Sequence, residues 1–375
     1  MSQEQKGPVA VLELLIGELS SLAAQDEGGE STVTISVDRM QEILEQCEVE
    51  DWLAVAEACV FLQVPSVEEL VLPLLTPAQE AVYNLVVLRA SGEGVPIEKI
   101  NEVIEISRAP ETRDFALEGR LRMERGLGYY ESGDIEAARE ELSWAETRLK
   151  SVAKASRMHD LSLLNKANFH LAIGEELMAL QVYGDIAREA GHAHETIAIS
   201  RLNAARIHSR FDHTFDAIRL AWLSHAHSIM AGQVALALES GAVFLALGLE
   251  NQDDSAEAMH VQVANSGPRE PGVDAPEAKV NGEDLNGVFD WCMEHLGDDW
   301  SGENRPDLQA FFTIAHDMNR LDSFSNLLSS PEQVEDAILV SAISQSVDDS
   351  MKPIWQAKLR EMAAQAVSNS LLDEQ

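Results

Sequence analysis

The chain has 375 residues and carries 64 acidic side chains against 27 Lys and Arg, a formal net charge of −37. A field of that sign repels phosphate backbones, which argues against nucleic acid as a partner of the whole chain. No run of eighteen apolar residues occurs, since Glu13, Glu18 and Glu239 interrupt the longest candidates, so no membrane span is expected.

Aromatic residues make up 5% of the chain beside abundant Ala, Leu and Glu, a balance that favours helices over sheets. The start Met1-Ser2-Gln3-Glu4-Gln5-Lys6 lacks the basic lead and cleavage signal of a secretory peptide, and Cys47, Cys59 and Cys292 lie too far apart in sequence to suggest a disulfide framework. A cytoplasmic protein with reduced thiols is expected.

In chain order, residues 1–75 read as an acidic N-terminal helical region. Residues 8–25 form an apolar helix, 26–30 a loop, and 37–75 two or three short helices broken at Pro65 and Pro73. Between Gly7 and Leu88 a single base, Arg39, faces fifteen carboxylates. Residues 33–37 alternate as one short strand would, with no partner strand in view. Thr76-Pro77-Ala78-Gln79 is a helix start with proline at the first helical position.

Residues 76–260 are read as a block of helical repeats. Leu164-Asn165-Lys166-Ala167-Asn168-Phe169-His170 returns as Leu202-Asn203-Ala204-Ala205-Arg206-Ile207-His208, 38 residues on. Looser copies run from Met123 to Tyr129, 41 residues earlier, and from Leu238 to Phe244, 36 residues later. Each copy holds a small residue (Gly126, Ala167, Ala205, Gly241) followed one helical turn later by Tyr129, His170, His208 or Phe244. Twelve residues after the small residue comes a second one in three of the copies: Ala138, Ala179, Ala217. Turn residues lie between, as in Glu131-Ser132-Gly133-Asp134 and Ile173-Gly174-Glu175, so each unit reads as two helices whose small residues allow close approach. Units that cannot bury an apolar face alone must stack, which predicts an all-α solenoid.

The stretch from Gly126 through Tyr129, Gly133-Asp134 and Ala138 to Leu142 and Ala145 resembles a tetratricopeptide repeat. Ala179 with Tyr183 matches the second-helix pattern less completely, and the copy at Ala217 less again. The spacings exceed the family's usual length and its closing proline is missing. The resemblance covers about residues 113–250, with a degenerate unit at 78–107. A helix-turn-helix reading of 76–107 is weaker, because its second helix carries only Lys99 as a base against Glu98, Glu102 and Glu105.

Residues 261–283, rich in Pro, Gly and charge, are expected to be a linker. Residues 284–375 form a C-terminal helical region in which 284–296, 306–324, 331–346 and 353–372 read as four amphipathic helices, either capping the repeats or making a small bundle. Asp298-Asp299-Trp300-Ser301-Gly302-Glu303-Asn304 lacks the sixth-place Gly and the closing Glu of a calcium loop and reads as a solvated turn.

Charge is uneven. Residues 108–220 hold 16 of the 27 bases against 18 acids, so the rest of the chain carries almost all the negative charge. Only 8 of the bases are Lys, and the acid excess fits a salty environment as well as it fits a ligand. Eight of the eleven histidines lie between His159 and His227. Two histidines two residues apart on a helix point about 200° apart, so neither His192 with His194 nor His225 with His227 can chelate one ion from a helix. His170 and His208 take the core position of Tyr129 and Phe244, so packing imidazoles are expected, and no metal or other cofactor.

No nucleophile elbow, phosphate loop, dinucleotide fingerprint or zinc-protease motif occurs, and no enzymatic activity is expected. The tetratricopeptide resemblance implies a concave groove lined by the first helix of each unit. There Asn165 and Asn203 would hold a peptide backbone, offering a donor and an acceptor together, with Asn168 and Arg206 as the next contacts. Glu124 and Glu239 in the outer copies would make the ends of that groove acidic. The expected function is a non-catalytic scaffold or adaptor for a protein or peptide partner. The alternative is a regulatory protein that binds a metal or small ligand through its histidines.

Overall fold

Every element in the computed structural model is a helix or a turn, and no strand occurs among the described residues, which are 49–62, 65–92, 95–250, 282–297, 300–302 and 304–373. The fold is all-α. The helix expected at 8–25, the loop at 26–30, the strand at 33–37 and nearly all of the linker at 261–283 lie outside the described residues. The chain divides into two compact units, residues 1–169 and 170–375.

The first unit contains α1 (Val49–Leu62), α2 (Pro65–Val71), a 3-10 turn (Leu72–Leu74), α3 (Pro77–Ala90), α4 (Ile97–Arg108), α5 (Phe115–Glu131), α6 (Ile135–Val152) and most of α7 (Arg157–Ala172). Pro65 opens α2 and Pro73 sits in the 3-10 turn, as a ring that cannot donate requires. Helix α3 starts where its sequence indicates. Thr76 Oγ1 accepts from the Gln79 N–H at 3.3 Å, and Gln79 Oε1 accepts from the Thr76 N–H at 2.9 Å. Leu53, Val55 and Cys59 of α1, Val82 of α3, Ile104 of α4 and Leu121 of α5 share one buried core.

Two glycines let α6 close on α5. A Cβ on Gly119 would lie 2.8 Å from Leu149 Cγ, and one on Gly126 would lie 3.0 Å from Leu142 Cγ. The small residues of the sequence repeat behave alike: Ala138, Ala167, Ala179, Ala205 and Ala217 are all fully buried.

The second unit holds α8 (Glu176–Gly184), α9 (His194–Arg210), α10 (Thr214–Met230), α11 (Val234–Glu250), α12 (Gly282–Leu296), α13 (Pro306–Asp317), α14 (Ser325–Leu328), α15 (Ala337–Ser346) and α16 (Lys352–Asp373). Helix α10 packs between α9 and α11, while α12 and α13 pack on α11, α13 on α15, and α15 on α16. The C-terminal helices thus continue from α11.

One turn geometry recurs. Gly133, Gly174, Asp212 and Gly232 have φ of 86°, 79°, 57° and 69°. In each case the next residue's N–H reaches back to a carbonyl five residues earlier: Asp134 to Tyr129 (2.9 Å), Glu175 to His170 (2.8 Å), His213 to His208 (2.9 Å) and Gln233 to Ser228 (2.9 Å). This Schellman closure satisfies the helix's last carbonyls and needs the left-handed region, which glycine enters without cost. The turns at 133, 174 and 212 are 41 and 38 residues apart, the spacing of the sequence repeat.

The helices that follow α5, α7 and α9 differ in length. Helix α8 has nine residues where α6 has 18 and α10 has 17. Arg201, buried on α9, explains how α8 can stop early. Its guanidinium donates to the Tyr183 carbonyl at 3.1 Å and to the Ile186 carbonyl at 2.8 Å, serving groups that a longer helix would have satisfied internally.

Two C-terminal helices are shorter than the sequence suggested. The segment 306–324 breaks at Asn319, φ 54°, where the Arg320 N–H closes on the Ala315 carbonyl at 2.7 Å in the same Schellman form. In 331–346 the helix starts at Ala337, because the Asp336 carboxylate accepts from the N–H groups of Ile338 and Leu339, each at 2.9 Å.

Candidate functional site

The four residues singled out by the repeat occupy matching places on two first helices. Asn165 and Asn168 lie one turn apart on α7, in the first unit; Asn203 and Arg206 lie one turn apart on α9, in the second. Asn168 and Arg206 are exposed, and the other two are half-buried. Asn165 Nδ2 donates to Met123 Sδ at 3.2 Å, a weak acceptor, and Asn203 Nδ2 donates to the Tyr183 hydroxyl at 3.2 Å. Each amide spends one N–H on its own fold, which fixes the side chain's direction.

The flanking carboxylates do not act as free negative charge. Glu124, nearly buried, meets Arg89 at 2.6 Å and Arg120 at 3.3 Å. Glu239 on α11 pairs with Arg206. The acidic ends expected from sequence are therefore neutralised by arginines 35, 4 and 33 residues away in the chain. The Arg206–Glu239 pair is exposed on both sides, and such pairs hold by about 1 kcal/mol or less, so an incoming carboxylate can replace Glu239 on the guanidinium.

The histidines pack, and they also pair. His170 is buried with Nδ1 2.8 Å from Glu175 Oε2. The two His-Ala-His segments contribute one ring each to a contact between α9 and α10: His194 Nδ1 lies 2.7 Å from His227 Nδ1. A hydrogen bond between two imidazole nitrogens needs one N–H and one lone pair, so both rings cannot be cationic while it stands. His208 and His213 make a longer contact of the same kind at 3.3 Å across the α9–α10 turn. His208, expected in the core, is only half-buried, because its ring reaches the rim of that turn.

His225 sits where α10, α11 and α12 meet. Its Nδ1 lies 2.8 Å from the Ala237 carbonyl, and Trp291 of α12 meets it edge-on with centroids 5.1 Å apart. Trp291 in turn stacks on His295 at 3.9 Å. Burial depresses the His225 pKa below its ordinary 6.5, with the Ala237 carbonyl opposing and His295 assisting. Burial lowers His208 in the same direction. A group whose folded pKa is depressed gains protons first in the unfolded chain, so stability present above pH 6.5 is lost as pH falls through the folded pKa. Denaturant midpoints measured from pH 7.5 downward are expected to fall below pH 6.5, and His225→Gln is expected to flatten that fall.

No described helix is long and apolar enough to cross a membrane. No protein-family model matches the chain, and no curated protein matches it. The likeness to tetratricopeptide repeats rests on the residues between 113 and 250 themselves.

Proposed function

We propose that this protein is a non-catalytic adaptor that holds a peptide or helix of another protein on the first helices of its hairpins. The observation that carries this reading is the same side-chain amide at the same place on α7 and α9, anchored by one N–H in each case and part-exposed. An amide so held offers a fixed acceptor beside its remaining N–H, the combination that grips main chain without reading its sequence. Asn168 and Arg206, one turn along, extend the surface by a polar and a cationic contact. The near balance of charge over residues 108–220, within a strongly acidic chain, supports a partner of mixed character.

The test is Asn165→Ala with Asn203→Ala, compared with wild type in pull-downs read by mass spectrometry, with circular dichroism confirming the helical content. A partner kept by wild type and lost by the folded variant is the expected result, with at least a tenfold loss of affinity once the partner is purified. An unchanged partner set overturns the assignment of these amides. A stoichiometric metal ion in untagged protein would favour the histidine-based alternative instead.

A further inference from the structure

The first unit contains a concentration of positive charge that the overall acidity conceals. Before and along α5 and α6, guanidinium groups alternate with aromatic rings. Arg113 Cζ lies 5.9 Å from the centre of Phe115, and Arg148 Cζ lies 5.1 Å from Phe115 and 4.9 Å from Trp144. Arg122 Cζ lies 3.9 Å over Trp144. Stacking of this kind fixes a guanidinium's plane against a ring while leaving the N–H groups on its edge to donate.

Carboxylates answer part of this charge. Arg108 meets Glu118 at 2.8 Å and Glu105 at 3.2 Å, and Arg125 and Arg122 share Glu141 at 2.8 and 3.4 Å. Among the described residues, Arg113 and Arg148 take part in no ion pair. Asp114, between Arg113 and Phe115, spends its carboxylate on the Ala116 and Leu117 N–H groups, so the charge of Arg113 and Arg148 is the part of the patch that no ion pair among the described residues answers. Phe115, 43% exposed, adds an apolar surface at the edge of the patch.

We propose that this ladder docks an acidic peptide segment of a partner protein, its carboxylates on the N–H edges of Arg113 and Arg148 and an apolar side chain on Phe115. Each ring already has two guanidinium groups against it, which favours oxyanions at guanidinium edges over nucleobases on ring faces. Charge range leads to the same choice. Screening confines surface fields to about 8 Å at physiological salt, so a short segment meets only the basic patch. A long polyanion would run on into the acidic remainder of the chain. The patch shares no residue with Asn165, Asn168, Asn203 or Arg206, so the proposal does not rest on the adaptor reading.

Fluorescence anisotropy of the full chain with a labelled Glu/Asp-rich peptide carrying a central Leu tests it, beside a labelled oligothymidylate of equal length. The peptide is expected to bind and to weaken with added salt. Arg113→Ala with Arg148→Ala should lower its affinity by about tenfold or more, while Arg360→Ala, an exposed base on α16, leaves it unchanged. Arg113→Glu, at an exposed position where folding is not at stake, should lower it alone. No binding of the peptide, binding unaltered by Arg113→Glu, or tighter binding of the oligonucleotide each overturns the proposal.

Discussion

Arg120→Ala is expected to destabilise the protein by about 3–5 kcal/mol, read as a lower urea midpoint with an unchanged slope. Arg120 lies on α5 with its side chain 13% exposed, 2.6 Å from Glu57 of α1 and 3.3 Å from Glu124 of its own helix. Burial alone would depress its pKa, and the two carboxylates overcome that, so the guanidinium is held charged. Truncation strands Glu57 in a nearly closed site, while Glu124 keeps Arg89. An uncompensated buried charge is what makes a broken buried pair costly, whereas replacing the pair together costs little. Arg120→Met with Glu57→Gln should therefore recover most of the loss. Arg89→Ala should cost far less, because its side chain is 47% exposed. A midpoint unaltered in Arg120→Ala would show that this ionic link between α1 and α5 contributes nothing to stability.

Gly241→Ala is expected to cost about 2 kcal/mol, although alanine is the better helix former by about 1 kcal/mol. A Cβ there would lie 2.6 Å from Cys292 Sγ and 3.2 Å from His225 Nδ1. Neither neighbour can swing away: Cys292 is fully buried on α12, and His225 is held by the Ala237 carbonyl. Burial also raises the Cys292 thiol to about 12, so it acts as a small apolar group. The methyl group must then push α12 from α11. Two controls isolate the cause. Cys292→Ala should rescue Gly241→Ala by removing the clashing sulfur. Gly287→Ala, on α12 with nothing within 4 Å of its Cβ, should instead stabilise by about 0.5–1 kcal/mol. Equal effects at Gly241 and Gly287 would contradict the close approach of α11 and α12.

The sequence by itself determined whatever depends on neighbours a few residues apart. The capping box at Thr76 and Gln79 and the left-handed turns at Gly133 and Gly174 are legible because their partners lie within two helical turns, and the small residues at Gly126, Ala167, Ala205 and Gly241 are legible because they recur at 36, 38 and 41 residues. The break at Asn319 was also local and could have been read, since asparagine enters the left-handed region more readily than most residues. Tertiary structure alone decided the rest. Asn165 and Asn203 could be named from the pattern, but Met123 and Tyr183, which orient their amides, lie 42 and 20 residues away. Glu124 reads as free acid in sequence and is neutralised by Arg89, 35 residues off. The His-Ala-His segments read as two pairs that cannot chelate, and packing of α9 on α10 made one cross-pair of them. The guanidinium–aromatic ladder needed α5 and α6 side by side. Helix periodicity specifies which residues share a face; only packing specifies which face meets which, and with it the charge and hydrogen-bond partners that a surface presents.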